Sequence, residues 1–389
     1  MTLLFSAARF LSMKKRFLFT PGPTPLPERV MEALGRPIIN HRSQDFKDLL
    51  GKVRDQLKKV FQTKNEVIIL TTSGTGAMEG ALSSSLKKTD RVLVVNAGKF
   101  GERFEKLSKA LGLETDVIQI EWGKSVTPAQ IEAKLDKKYA ALCIQASETS
   151  TGTLHPIEAI SKVLQKKSPE TLLIVDGITA VGAMNIPADE WKIDILISGS
   201  QKAFMLPPGL AFASISEKAL EKMKSSDIPK FYLDFQREHK SILENQTAFT
   251  PAISLVVALH EALTMLLDEG LPLVFSRHEK LAESSRAALK ALGLTLASEA
   301  PSVACTAAFL PNSINGKTFL KNIRDKYGFT IAGGQDEWEG KAIRLSHLGY
   351  YTAFDLMNAI AAMGRELNRE GIKSDTAKAL SVFMDTYDL

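Results

Sequence analysis

Two residues of opposite charge stand at a spacing suited to an aldehyde-bearing cofactor. Asp176 ends the apolar run 172–175. Lys202 follows 26 residues later (176 to 202), at the end of Ser198-Gly199-Ser200-Gln201-Lys202. A lysine amine can form a Schiff base with pyridoxal 5'-phosphate, and an aspartate can hold the pyridine nitrogen of that cofactor protonated, so that the ring accepts electrons. The pair predicts a pyridoxal phosphate enzyme with Lys202 and Asp176 as its catalytic residues.

The neighbours of both residues favour this interpretation over a structural one. A lone lysine is usually solvated, but Lys202 follows a predicted strand and precedes the apolar run 203–209. Desolvation in that setting would lower the pKa of the amine and favour its neutral, reactive form. Asp176 could be a helix cap or a turn residue. However, the carboxyl end of a parallel strand is where ligands bind in open α/β sheets.

The run Thr71–Gly80 follows a predicted strand and opens a predicted helix. Its N–H and hydroxyl groups could bind a phosphate at the helix N-terminus. As a dinucleotide fingerprint the run is poor, because Glu79 stands where the third glycine should be, and no Lys-Ser/Thr pair follows for a P-loop. A phosphate monoester therefore suits the run better, and a simple capping loop is the alternative.

Three further positions could contact a cofactor or substrate. Phe100, in 96–101, could stack on a planar ring or pack in the core. The hydroxyls of 147–152 could bond a ring hydroxyl or a substrate carboxylate, or form a polar turn. Arg344 lies inside a predicted strand, where a charge is costly unless it is paired. A substrate carboxylate or an internal salt bridge would supply that partner.

In this order, these residues resemble the class V (fold type I) pyridoxal phosphate aminotransferases, specifically the alanine–glyoxylate and serine–pyruvate group. The resemblance covers nearly the whole chain. It implies an α/β fold with a mostly parallel seven-stranded sheet between helices in a large domain, followed by a smaller C-terminal α+β domain. The motifs that carry it, besides Asp176 and Arg344, are Phe19–Pro27, His41–Ser43, Ser73–Thr75, Glu148–Gly152 and Ser198–Lys202.

The resemblance also implies a role for each site residue. Lys202 would be the Schiff-base lysine that moves the substrate proton, and Arg344 would hold the substrate carboxylate with help from backbone near Gly22. Gln246 and Thr250 would reach the phosphate of a partner subunit, which implies a homodimer with shared active sites. The remaining expected cofactor-binding residues are Ser73, Gly74, Thr75, Phe100, Thr149, Asp176 and Gln201. Two departures, Phe100 and Thr75 where some relatives have tryptophan and histidine, leave cofactor affinity and substrate preference open.

From Glu66 onward, short β-rich runs alternate with longer helical runs. This pattern is typical of a parallel sheet covered on both faces. After Pro251 the pattern changes to that of an α+β unit. We predict an N-terminal segment contributing to the active site (1–25), a large cofactor-binding domain (26–265), a small domain (266–370) and a C-terminal tail (371–389). The strands predicted for the large sheet are 67–70, 92–95, 117–120, 140–144, 172–175, 193–197 and 210–215.

Composition excludes several other classes. The 389 residues carry a mild net charge of +5 without a concentrated basic patch, so nucleic acid is not favoured as a partner. No apolar run approaches the roughly 20 residues that span a membrane. Two cysteines in apolar runs suit a reducing compartment, and six histidines without metal spacing predict no metal site. Met1–Phe10 is unlike a signal peptide, since its charges follow the apolar part, and Met13 could be the true start. We predict a cytoplasmic protein.

The resemblance implies a ping-pong transamination from a small amino acid, serine or alanine, to glyoxylate or pyruvate. We expect small donors because no second arginine is evident for a side-chain carboxylate. One alternative is a cysteine desulfurase of the same fold, although Gln201 stands where that class usually has a histidine and Cys305 lies in an apolar run. Another is a non-catalytic accessory subunit, because chains named as soluble hydrogenase subunits share the resemblance. A nicotinamide-dependent dehydrogenase would rest only on the broken glycine run.

Overall fold

The computed structural model describes residues 15–388. The expectations about Met1–Phe10 and Met13 lie outside these residues. The strands within the described range are β1 (Phe17–Phe19), β2 (Val67–Leu70), β3 (Arg91–Asn96), β4 (Glu114–Gln119), β5 (Ala141–Gln145), β6 (Ser147–Glu148), β7 (Thr153–Leu154), β8 (Leu172–Asp176), β9 (Ile195–Gly199), β10 (Ala211–Ile215), β11 (Thr295–Leu296), β12 (Cys305–Phe309), β13 (Phe329–Gly333) and β14 (Ala342–Ser346).

Helices separate most of these strands. They are α1 (Glu28–Leu34), α2 (Gln44–Phe61), α3 (Gly74–Ser85), α4 (Lys99–Ala110), α5 (Pro128–Glu132), α6 (Ile157–Lys167), α7 (Glu217–Met223), α8 (Phe235–Leu243), α9 (Ile253–Glu269), α10 (Leu271–Ala291), α11 (Gly316–Tyr327), α12 (Ala353–Arg369) and α13 (Thr376–Tyr387), with a 3₁₀ turn at Asp336–Trp338. Among residues 15–388, none of the helices is both long and apolar enough to cross a bilayer.

The predicted seven-stranded, mostly parallel sheet is confirmed. Its strand order is β2-β10-β9-β8-β5-β3-β4, and only β10 runs antiparallel to its neighbours. Strands β2, β5, β8 and β9 are buried along their whole length, as expected for a sheet with helices on both faces. The register pairs Gln145 with Asp176, so the carboxyl ends of neighbouring strands meet at one edge.

The strand predicted at 117–120 is displaced to Glu114–Gln119, and so is the strand that precedes Lys202. We placed the latter at 193–197, whereas β9 runs from Ile195 to Gly199. The N–H of Ile193 donates to the carbonyl of Ala188 (2.9 Å) and thereby closes a turn, so the strand begins later. The shift matters for the site, because it extends the strand up to the turn that carries Lys202.

A second sheet joins the two ends of the chain. Its order is β1-β13-β14-β12-β11, with β1 parallel to β13 and the other pairs antiparallel. Phe19 of β1 is buried in a hydrophobic cluster with residues such as Phe319 and Leu345. The N-terminal strand is therefore fixed on the C-terminal part of the molecule, and this anchors the segment that follows it.

The stretch that we described as a C-terminal tail contains helix α13. Asp375 caps its N-terminus by accepting the N–H of Lys378 (2.9 Å). Ala379 and Phe383 are fully buried in the same cluster as Phe19. The helix is therefore part of the packed structure and contributes to the core beneath the second sheet.

Replacing Phe383 with alanine tests this packing. Loss of a fully buried phenylalanine should lower the free energy of unfolding by about 3–5 kcal/mol. Lys378→Ala, on the exposed face of the same helix, is the matched control and should change it by less than about 0.5 kcal/mol. Urea unfolding followed by circular dichroism measures both. Equal, small effects would show that the segment does not pack.

Candidate active site

Lys202 lies in the turn after β9 and is only 9 % exposed. Its Nζ donates to the carbonyl of Pro21, and its own carbonyl accepts the hydroxyl of Thr24 (2.9 Å). Burial lowers the pKa of the Lys202 amine to about 8, because the charged form loses its hydration. The N-terminal segment therefore covers an amine that loses its proton more readily than an exposed lysine does.

Gly22 lies against the Lys202 side chain. Its φ of +129° is a backbone conformation that favours glycine. A Cβ at this position would overlap the amine and the terminal carbons of Lys202. The glycine is thus required both by the backbone and by the space that the lysine occupies.

Asp176 ends β8 and is 5 % exposed. Its Oδ1 accepts the N–H of Ile178 (2.9 Å). Burial raises the pKa of Asp176 to about 6, and the negative charge of Glu148 adds to the increase. A cation bound at this carboxylate would reverse the shift. The protonated pyridine nitrogen of the cofactor is such a cation.

The start of α3 is where we predicted a phosphate site. Ser73 occupies the N-cap position but makes no side-chain cap, so the N–H groups of Gly74 and Thr75 have no acceptor within the part of the chain described, whereas that of Gly76 donates to the Ser73 carbonyl (2.9 Å). Gly74 is buried, and a Cβ on it would overlap Ile178. A Cβ on Gly199 would lie 3.8 Å from the Gly74 nitrogen and 3.3 Å from Oε1 of Gln201. The turn before Lys202 is therefore adjacent to the helix start.

Gln201 provides a test of fit for an anion at this position. Its side-chain oxygen is buried and has no hydrogen-bond partner among residues 15–388. Buried polar atoms are normally satisfied, and an amide can turn to present its NH₂ group instead. A phosphate between this amide and the helix N-terminus would satisfy both groups. The residues present thus fit the phosphate of pyridoxal phosphate.

The β6–β7 hairpin positions Thr149 and the start of α4. The Oγ1 atoms of Thr149 and Thr179 lie 3.1 Å apart. The Glu148 carboxylate accepts the N–H groups of Phe100 (3.1 Å) and Gly101 (3.0 Å), so it caps α4 from another element. Burial raises the pKa of Glu148, whereas these donors favour its charged form. The capped helix start fixes the half-buried ring of Phe100.

Arg344 is 8 % exposed, and no carboxylate lies within salt-bridge distance of it in the described chain. Its Nε donates to the carbonyl of Gly333 (2.9 Å) and its Nη1 to the carbonyl of Thr149 (3.1 Å). The internal salt bridge that we considered is therefore absent among residues 15–388. A buried guanidinium bonded only to carbonyls retains the capacity to bind a carboxylate.

Gln246 and Thr250 belong to the run that precedes α9. Oε1 of Gln246 accepts Nη1 of Arg42 (3.0 Å), and Thr250 is exposed. No hydrogen bond joins either residue to Lys202 or to the α3 start in the described structure. Their expected contact with a partner subunit stays a prediction.

Sequence reasoning missed four residues that shape the site. Pro21 and Glu148 lie inside quoted motifs, but we had considered neither the carbonyl nor the carboxylate. Arg103 follows Phe100 by three residues, a spacing that places both on one helix face and could have identified it. Gln145 is the register partner of Asp176, and its buried side-chain amide has no partner in the described residues.

Comparisons with known proteins show which chains this one is similar to. The family model described as Aminotransferase class-V matches residues 16–352. The chain is 40% identical to the small subunit of a soluble hydrogenase from Synechococcus sp., over 94% of this chain and 96% of that protein. It is 34% identical to serine–glyoxylate aminotransferase of Methylorubrum extorquens, over 92% of each. A solved aspartate aminotransferase of subgroup IV from Thermus thermophilus superposes with a TM-score of 0.85 at 32% identity, covering 91% of this chain and 99% of that one.

Replacing Gly22 with alanine should displace the Lys202 side chain and weaken binding of pyridoxal phosphate by more than about tenfold. The physical reason is the overlap of the new Cβ with the lysine. Gly112→Ala is the matched control, because its φ is also positive (+77°) but a Cβ there meets nothing within 4 Å. It should cost only about 1–2 kcal/mol of stability. Absorbance titration of the apoprotein measures binding, and equal affinities in both variants would contradict the placement of Gly22.

The pH dependence of cofactor attachment should follow the lowered pKa of Lys202. Only the neutral amine attacks an aldehyde. With a pKa of about 8, about a tenth of the amine is neutral at pH 7 and about half at pH 8. The attachment rate should therefore rise about fivefold from pH 7 to 8 and less than twofold from pH 8 to 9.

Stopped-flow absorbance of the apoprotein mixed with pyridoxal phosphate measures that rate. Binding of pyridoxine phosphate, which lacks the aldehyde, corrects for ionisation of the phosphate. A rate that keeps rising tenfold per pH unit up to pH 10 would mean that Lys202 has an ordinary lysine pKa.

Proposed function

The chain belongs to the class V aminotransferase family, whose cofactor is pyridoxal phosphate, and we propose that it transfers the amino group of serine or alanine to glyoxylate or pyruvate. The observation that carries the proposal is the position of Lys202. Its buried amine lies at the carboxyl edge of the sheet together with the carboxylate of Asp176 and the unpaired guanidinium of Arg344. A base, a ring-nitrogen partner and a carboxylate site are the groups that transamination requires.

The cofactor, when bound, supplies an aldehyde that bonds to amines and a ring that accepts electrons. Ser73, Gly74, Thr75 and Gln201 would bind its phosphate at the start of α3. Asp176 would pair with the ring nitrogen, and Thr149 would hold the ring hydroxyl or the substrate. Among these groups, the side-chain oxygen of Gln201 has no hydrogen-bond partner within residues 15–388, and Ser73 makes no side-chain cap at the start of α3.

Lys202 is proposed to move the proton of the reaction. Its Nζ would take the proton from the α-carbon of the amino donor and return it to the cofactor carbon. A general base works best when its pKa lies near the operating pH. Burial brings the pKa of Lys202 to about 8 and so makes it suited to both halves of the transfer.

Arg344 is proposed to bind the α-carboxylate of donor and acceptor alike. The carbonyls of Gly333 and Thr149 fix two of its nitrogens, so its orientation is set before the substrate arrives. A fixed guanidinium loses little freedom on binding, which favours recognition of a planar carboxylate. Both half-reactions use the same clamp because both substrates carry that group.

The position of Arg103 bears on donor size. It is a second arginine near the site, yet its Nη1 bonds Thr75 at the phosphate end (3.1 Å). It is therefore not placed with Arg344 to hold a side-chain carboxylate. This arrangement supports a small donor. One relative is named for serine, in agreement with the proposal, whereas the Thermus neighbour is named for aspartate.

The alternative of a cysteine desulfurase has less support. Cys305 lies in β12 and is fully buried, and its thiol donates to the carbonyl of Thr149 (3.6 Å). Burial raises the pKa of the Cys305 thiol to about 11. A desulfurase needs an accessible thiolate, so this cysteine is poorly suited to the reaction.

The accessory-subunit alternative rests on the name of the 40% identical relative. That name says nothing of lost chemistry in this chain. Lys202, Asp176 and Arg344 are all present, buried and grouped. Burying three charged groups costs free energy, and a protein that did not use them would gain nothing in return. The intact site therefore favours an enzyme.

We also infer a homodimer with shared sites. Thr250 is exposed, Gln246 accepts from Arg42, and neither residue forms a hydrogen bond with the Lys202 cluster among residues 15–388. In this arrangement the two residues are available to the phosphate site of a second copy.

The visible absorbance of the cofactor-loaded protein tests the proposed activity. Adding L-serine or L-alanine should remove the visible band, and adding glyoxylate should restore it. L-aspartate, at the same concentration, should act at least about tenfold more slowly, since Arg103, the second arginine near the site, bonds Thr75 instead of facing the donor's side chain. Lys202→Ala should show no such band.

A faster reaction with aspartate would overturn the donor assignment and leave the aminotransferase activity in place. A protein that binds pyridoxal phosphate yet ignores all donors would instead favour the accessory subunit.

A further inference from the structure

Arg103 lies in α4, beside the residues that we propose bind the phosphate. We propose that Arg103 is a positioning residue, which orients the Thr75 hydroxyl and the Phe100 ring toward the bound cofactor. The inference rests on the proposed roles of Thr75 and Phe100. Three observations support it: a hydrogen bond to Thr75, a contact with the Phe100 ring, and a charge that has no carboxylate partner in the described part of the chain.

The hydrogen bond determines what Thr75 can offer. Nη1 of Arg103 donates to Oγ1 of Thr75 at 3.1 Å. A threonine hydroxyl has one hydrogen to donate and lone pairs to accept. Because the oxygen accepts from the guanidinium, the hydroxyl hydrogen is directed elsewhere and remains available to a phosphate. The arginine thereby sets the polarity of a hydroxyl at the start of α3.

The ring contact determines which face of Phe100 is free. The guanidinium carbon of Arg103 lies 4.7 Å from the centroid of the Phe100 ring, within the range of a cation–π interaction. The cation covers one face of the ring. The opposite face is left for a planar cofactor, so that one side chain restrains two groups that would meet the cofactor.

The charge of Arg103 differs from that of the other cations on its helix. Lys99, Lys106 and Lys109 each pair with a glutamate on the same helix. Arg103 has no carboxylate within salt-bridge distance in the described part of the chain. It is close enough to lower the pKa of both Asp176 and Lys202. An unpaired charge in this position favours an anionic ligand.

The helix that carries Arg103 is itself fixed. Glu148 accepts the N–H groups of Phe100 and Gly101, and Ser150 accepts that of Lys99 (3.1 Å). These bonds hold the first turn of α4 against the β6–β7 hairpin. Arg103 lies one turn further on and bridges from this helix to α3. The cofactor-binding groups of two helices are thus joined by one side chain.

Two substitutions separate the hydrogen bond from the charge. Arg103→Gln keeps an NH₂ donor for Thr75 but removes the charge, whereas Arg103→Lys keeps the charge and loses the planar fork. Lys106→Ala, an exposed site on the same helix, is the matched control. The readouts are the dissociation constant for pyridoxal phosphate, from titration of the apoprotein, and the pH midpoint of cofactor attachment.

The pH midpoint reports the charge around Lys202. The groups that act on it are Cys305 from β12, Arg344 from β14, Asp176 from β8 and Arg103 from α4. Arg103 lowers the pKa of Lys202, so removing its charge must raise the midpoint. Arg103→Gln should therefore shift the midpoint upward, while Arg103→Lys and the control should keep it. A purely structural role for Arg103 would not separate the two variants in this way.

A double-mutant cycle tests the coupling to Thr75. Arg103→Lys and Thr75→Val should each weaken cofactor binding about tenfold, which is the scale of one hydrogen bond to a charged group. If Arg103 acts through Thr75, the combined variant should lose less than the product of the two effects. Additive losses, or an unchanged midpoint in Arg103→Gln, would overturn the proposal.

Failure of this inference and failure of the proposed function give different results. Wild-type protein that does not bind pyridoxal phosphate would contradict the proposed function. Wild-type binding together with wild-type behaviour of every Arg103 variant would contradict only the role of Arg103.

Discussion

Desolvation of the Lys202 amine is the constraint on which the site depends. A lysine in water is almost fully charged at neutral pH, and the charged amine cannot attack a carbonyl or accept a proton. In the structure, Lys202 lies at the edge of a buried sheet, and the N-terminal segment covers it. The backbone carbonyl of Pro21 then gives the amine an acceptor without adding a negative charge. The lowered pKa follows from this arrangement.

The need to cover Lys202 also explains why β1 pairs with a strand from the C-terminal part of the chain. The segment that covers Lys202 has few apolar residues of its own to hold it there. It is anchored through β1, which pairs with β13, and through Phe19, which is buried in the second hydrophobic cluster. Thr24 adds a hydrogen bond to the carbonyl of Lys202. Packing far from the chemistry thus supplies the free energy that keeps the amine covered.

Among the described residues, the buried charged groups of the site do not form ion pairs with one another. Glu148 is satisfied by backbone N–H groups at the start of α4, and Arg344 by backbone carbonyls. Asp176 accepts one backbone N–H. Backbone dipoles stabilise each charge while leaving it able to bind a ligand, whereas a salt bridge between side chains would consume the charge. The site is therefore electrostatically prepared for an anionic cofactor and for substrates that carry a carboxylate.

The sequence by itself determined the seven-stranded sheet and the family, and it predicted Lys202, Asp176 and the α3 start as site residues. These follow from local patterns: apolar runs mark buried strands, and a polar residue directly after such a run must lie at a strand end. The tertiary structure alone decided that Arg344 has no ion pair among residues 15–388, that Pro21 accepts from Lys202, that Arg103 bonds Thr75 and that helix 376–387 packs into the core. Each of these depends on side chains from elements far apart in the chain, and a local pattern contains no information about which of them come into contact.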